Sequence, residues 1–223
     1  MKKSVSFLSL FLLILVIAVS PLFYFQFFSC AEKNPLYNKV TELRERIYSG
    51  SADDIDVKAT YGYKTENGTK KYCLNFYLES VRDDEVKRSI SFSLGETRFD
   101  GDFTLSPSSG KLCASFRTET AVPDSIAVNI RYSSISTDVV LNSIIPEGTM
   151  TIKQVLDSIT ENQKNLVASY TDENGDFDAE IIARVTVKNE KSYWYVGIQR
   201  REKLIAFLLD GINGETLAVR EVF

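Results

Sequence analysis

The rhythm of hydrophobic and polar positions changes several times along this chain. From Val5 to Phe28 the run VSFLSLFLLILVIAVSPLFYFQFF carries no charge, and only Ser6, Ser9, Ser20 and Gln26 interrupt it. About 20 such residues cross the hydrocarbon core as a helix, so residues 1–30 are expected to form a membrane anchor helix. Asn34-Pro35 then offers a helix cap followed by a first-turn proline. Leu36, Val40, Leu43 and Ile47 recur at helical spacing, and Glu42 stands four before Arg46. With Gly50 as a stop, this predicts an amphipathic helix over 31–50.

From about Asp54 to Asn142 the period drops to two. Strands are expected at Ile55 to Lys64, Lys71 to Glu79, Arg88 to Leu94, Lys111 to Arg117, Ser125 to Tyr132 and Thr137 to Leu141. Asn67-Gly68 suits the turn of a hairpin. A β-sandwich-like domain over 51–145 follows. Beyond the linker Ile145-Pro146-Glu147-Gly148, Thr151 to Gln154 forms a capping box, with Met150 and Val155 placed as a hydrophobic staple. A helix to about Lys164 is expected, then strands Glu180 to Lys188, Ser192 to Gln199 and Leu204 to Asp210, and an extended tail from Thr216. The fold class expected is therefore α+β: an N-terminal anchor helix, an all-β sandwich-like domain, and a small helix-plus-antiparallel-sheet domain over 149–223.

That last stretch resembles the PepSY-like domain family of secreted and membrane-anchored bacterial proteins. The resemblance covers about the last 75 residues and rests on helix-then-strands order, on Trp194-Tyr195-Val196, and on the hairpin Leu209-Asp210-Gly211-Ile212-Asn213-Gly214-Glu215-Thr216-Leu217. It implies a non-catalytic regulatory or inhibitory module outside the cell, with no catalytic residues to carry over.

The N-terminus permits more than one ending. Lys2 and Lys3 before the apolar run put everything after about residue 30 on the extracytoplasmic side. Cleavage after Ser20 would leave Pro21 beyond the scissile bond and the apolar run unbroken. Cys30, preceded by Phe27-Phe28-Ser29, is a lipidation candidate, so a lipoprotein signal and an uncleaved signal anchor both stand. Of the other cysteines, Cys73 and Cys113 are a disulfide candidate in an oxidising compartment, with two separate thiols as the alternative.

Charge and composition mainly exclude. The chain has net charge −4, and both N-terminal lysines belong to the anchor, so the outward part is more acidic still. This argues against a nucleic-acid partner. With no histidine in 223 residues, Ser-His-Asp and Cys-His machinery cannot be built, nor can most catalytic zinc sites. No cofactor and no catalytic residue are expected. The loop Asp172, Asn174, Asp176, Asp178 alternates oxygen ligands as calcium loops do, but Phe177 stands where such loops need glycine and Ala183 where they need a bidentate glutamate. A solvated acidic turn accounts for it. Tyr193 and Tyr195 alternate with Trp194 and Val196, so one pair faces away from the other. The function expected is a membrane-tethered extracytoplasmic binding or regulatory protein, bound to the membrane through its N-terminus and engaging a protein or cell-wall partner. A cell-surface hydrolase with paired carboxylates and a structural subunit of an envelope assembly are the alternatives.

Overall fold

The computed structural model describes residues 34–79, 87–107, 110–119 and 121–222. The anchor and Cys30 lie outside these residues. Among the described residues no helix is long and apolar enough to cross a membrane, so the transmembrane helix expected from sequence has no counterpart there.

The α+β expectation is corrected: the chain is mostly β. A 3-10 turn (Tyr37–Lys39) leads into β1 (Val40–Ala52), β2 (Ile55–Glu66), β3 (Thr69–Leu78), β4 (Arg88–Leu94), β5 (Thr97–Asp102), β6 (Thr104–Leu105), β7 (Leu112–Arg117), β8 (Ser125–Tyr132) and β9 (Ile135–Ser143). Helices α1 (Ile152–Asn162) and α2 (Lys164–Ser169) follow, then β10 (Glu180–Lys188), β11 (Lys191–Arg200), β12 (Lys203–Asp210) and β13 (Thr216–Val222).

The helix expected over 31–50 is instead strand β1, and two bulges explain the misreading. Val40 pairs with Ile181 and Glu42 with Ile182, which leaves Thr41 as an extra residue against β10. Arg44 pairs with Gly62 and Arg46 with Tyr61, which leaves Glu45 as an extra residue against β2. Each inserted residue stretches the two-residue repeat, so the inward-facing Val40, Leu43 and Tyr48 fall at spacings that mimic a helix.

β1 is also where the sheet branches. Its first half runs parallel to β10, its second half pairs antiparallel with β9, and β2 lies along its whole other edge. On one branch, β5-β4-β8-β9-β1-β2-β3-β7 curls into a nearly closed barrel, not the expected sandwich. The seam between β5 and β7 is sealed by side chains. Phe99 meets Phe116 edge-on at 6.1 Å, Phe92 stacks on Phe99 at 4.9 Å, and Gly101 lies so close to Phe116 that an added Cβ would sit 2.8 Å from its ring. Such aromatic pairs contribute about 0.5–1.5 kcal/mol each beyond the area they bury. On the other branch β10-β11-β12-β13 extends the sheet as an antiparallel run.

The two branches have separate cores. Tyr48, Ala59, Leu74, Phe76 and Ile130 fill the barrel. Leu43, Val155, Ile159, Trp194 and Phe207 form the second, beneath α1 and α2. Tyr61 and Tyr63, two apart on β2 and so on one face, belong to the first and the second core respectively. The capping box at Thr151 and Gln154 forms as expected. Trp194 donates its indole N–H to the Met150 carbonyl at 2.9 Å, and Ser158 donates to the Gly214 carbonyl at 2.9 Å, which ties α1 to the closing hairpin.

Candidate functional site

Both cores lie on one side of the strands from β2 to β12, and no helix among the described residues lies over the other side. Register defines this outer face. One row runs Arg117, Cys73, Gly62, Arg44, Arg184, Tyr195, Leu208, Ala218 across eight strands. The next runs Lys71, Lys64, Glu42, Ile182, Gly197, Ala206, Arg220. Apart from Arg184 and Arg220, the β10 to β13 part of these rows is apolar: Ile182, Tyr195, Leu204 and Leu208 are each half-exposed, while their strand neighbours Ala183, Val196, Ile205 and Phe207 are buried on the helix side. The alternation expected at Tyr193 and Tyr195 is what the fold uses, with Trp194 and Val196 in the core.

The other half of the face is cationic, although the chain as a whole is acidic. Arg44, Lys64, Lys71, Arg117 and Arg184 stand together, with Glu42 in the second row and Glu66, two residues beyond Lys64 on β2, as nearby carboxylates. Both of these are engaged. Arg184 grips Glu42 Oε1 through Nε at 3.0 Å and Nη2 at 2.7 Å, and Glu66 pairs with Lys71, which holds its carboxyl below the usual range. Arg44 forms no ion pair among the described residues.

Between these cations is a groove of about 240 Å³ lined by Arg44, Thr60, Gly62, Lys64, Cys73 and Asn75 among others. Gly62 makes it. The bulge at Glu45 brings the β1 backbone so close that a Cβ on Gly62 would sit 1.8 Å from the Leu43 carbonyl oxygen and 2.8 Å from Arg44 Cα. Thr60 is 8 % exposed, and its hydroxyl has no hydrogen-bond partner. Asn75 accepts from Ser115 Oγ at 2.6 Å through its side-chain oxygen, which leaves its N–H₂ to donate.

A larger cleft of about 520 Å³ opens where β1 and β10 begin, lined by Lys39, Asp178, Glu180 and Arg200. Its charges are largely satisfied from within. Arg200 pairs with Asp178 at 2.8 Å and lies over the Tyr170 ring at 5.2 Å. The adjoining loop contains the calcium-like residues. Asp172 accepts backbone N–H groups from Asn174 and Asp176, which lowers its pKa, and Asp178 is held by Arg200, so these carboxylates act as internal loop fasteners. Among the described residues no group of three acidic or cysteine side chains could hold a metal ion.

Cys73 and Cys113 are free. Cys73 faces Arg117 and Cys113 faces Tyr77, so they stand four positions apart along the β3–β7 ladder, beyond the reach of a disulfide. Among the described residues the carboxylate pushed upward is Glu45, raised by burial, and the charged neighbours that oppose the rise are Arg46 and Lys70.

Sequence reasoning missed Arg44, Thr60 and Arg117, because only register brings them together. One signal was present: an isolated glycine inside the strand pattern Ala59-Thr60-Tyr61-Gly62-Tyr63 marks a bulge or close backbone approach. Compared with family models, with curated proteins and with solved structures, the chain finds no match.

Proposed function

We propose that this is a non-catalytic extracytoplasmic binding or regulatory protein, held at the membrane through its N-terminus, that engages a protein or cell-wall partner with the outer face of its sheet. The observation that carries this reading is the face that the described residues leave uncovered, where Ile182, Tyr195, Leu204 and Leu208 adjoin a cationic half. Tyrosine presents large area and a hydroxyl at low entropic cost, as recognition surfaces need. The cap, helix, strands and Asp210 hairpin of 149–223 support kinship with the PepSY-like domains, and Lys2-Lys3 before the apolar run supports the outward address.

The test is site-specific photo-crosslinking on intact cells, with a benzophenone amino acid at Tyr195 or Leu208 and, as the control, at Ile135, which is 48 % exposed on the barrel. Discrete adducts from Tyr195 and Leu208 and none from Ile135 are expected. Equal labelling at all three positions, or none, overturns the reading.

A further inference from the structure

We propose that the groove around Gly62 is an oxyanion site, which takes a carboxylate or phosphate group carried by the partner. This rests on the outer face being the binding surface and names what one part of it recognises.

The groups of the lining that remain free to bind are donors. Arg44 offers a planar fork of N–H donors, Lys64 an ammonium, Thr60 a hydroxyl without a partner, and Asn75 an amide N–H₂ whose oxygen is already taken. The lining also includes two carboxylates, Glu42 and Glu66, which already hold Arg184 and Lys71. A donor-rich pocket is complementary to an acceptor-only group, and a guanidinium binds carboxylates and phosphates through two parallel N–H···O bonds. The geometry is built for it. Gly62 lets the β1 backbone pack directly against β2, and the Glu45 bulge fixes the Arg44 backbone at the groove's rim. The groove is wider than one carboxylate or phosphate, which leaves room for the chain that bears it. Ile182 and Tyr195, on the strands beyond Arg44, can receive an apolar neighbour of the anion.

Cys73, half-buried on the groove wall, is a built-in reporter, and Cys113, also half-buried and four positions along the ladder, is its control. The full-length protein is alkylated with iodoacetamide at constant ionic strength in the presence of glutarate, of inorganic phosphate, or of sodium chloride alone. Rates at each cysteine are then read by peptide mass spectrometry. With the anion at about four times its dissociation constant, one-site mass action slows Cys73 about five-fold. The expected result is that slowing at Cys73, none at Cys113, and none at Cys73 in Arg44→Gln. Protection by glutarate only, or by phosphate only, identifies which oxyanion the site takes. An unchanged Cys73 rate, equal slowing of both thiols, or undiminished protection in Arg44→Gln overturns the proposal. Failure here together with crosslinks from Tyr195 discards the anion site alone. Protection of Cys73 without those crosslinks discards the wider reading of the face.

Discussion

Replacing Gly62 with alanine tests whether the bulge and groove are as tightly built as they look. The added Cβ would meet the Leu43 carbonyl oxygen at 1.8 Å and Arg44 Cα at 2.8 Å. Both are backbone atoms, so no rotamer change relieves the overlap and β1 must retreat by over an ångström. Overpacking costs about 1–3 kcal/mol. Displacing the strand weakens two or three ladder hydrogen bonds on either side of Arg44, at about 1 kcal/mol each. The sum is about 3–6 kcal/mol, a large part of the 5–15 kcal/mol that holds a typical domain together. Gly197→Ala is the matched control on the same face. There the added Cβ meets Leu204 Cδ1 at 3.1 Å and the Tyr195 hydroxyl at 3.3 Å, both ends of side chains that can turn aside. Its crowding is offset by the smaller unfolded-state entropy of alanine, so a change within about 1 kcal/mol is expected. Urea unfolding followed by the fluorescence of Trp194, the single tryptophan and a buried one, reports on both variants. A Gly62→Ala loss below about 1 kcal/mol, or equal losses at both glycines, would refute the rigid close approach.

Other outcomes are expected. Thr60→Val and Tyr170→Phe each remove a buried hydroxyl that has no partner, so each should raise stability, by about 1 kcal/mol in urea unfolding; a loss would mean that the hydroxyl is paired. Glu45 has a pKa raised in the folded state, so its protonated form is favoured there, and its penalty is absent below the ordinary glutamate range and grows as pH rises through the folded pKa. Glu45→Gln should therefore stabilise at pH 7 and lose that advantage near pH 4, as read from urea midpoints across pH; a pH-independent effect would contradict it. Glu79, whose pKa is lowered chiefly by Lys111 and further by Lys58, works in the opposite sense: Glu79→Gln should destabilise at neutral pH, with the deficit shrinking as the wild-type carboxyl protonates in acid. Non-reducing peptide mapping should find Cys73 and Cys113 unlinked, and a Cys73–Cys113 peptide would contradict the β3–β7 register.

Much of the fold was legible where one physical signal acted alone. β4 and β8 start and stop at the expected residues, because alternation and flanking turn residues agree there, and the capping box marked the start of α1. Asn67 and Gly68 both take positive φ, as the hairpin turn requires. Sequence failed where tertiary geometry edits the period. The bulges at Thr41 and Glu45 disguised β1 as a helix, and β5 was missed because Arg98, Asp100 and Asp102 face solvent along an edge and leave little apolar alternation to see. Barrel closure is likewise unreadable locally, since it depends on Phe99 and Phe116 meeting across a seam that no turn connects. The candidate groove combines residues from β1, β2 and β3, so no spacing within any one strand announces it.

The branching of β1 also governs the order in which the chain can fold. Val40 pairs with Ile181, so about 140 residues separate partners that lie side by side, a separation of the kind that slows folding. In a chain made from its N-terminus, β2 can zip onto β1 at once, but the opposite edge must wait for β9 and β10. Throughout that interval a row of open N–H and C=O groups is offered to any neighbouring strand. Newly made copies crowded together are therefore most vulnerable to mispairing along Val40 to Ser49, and a holding chaperone that shields this edge would be most useful before β10 emerges.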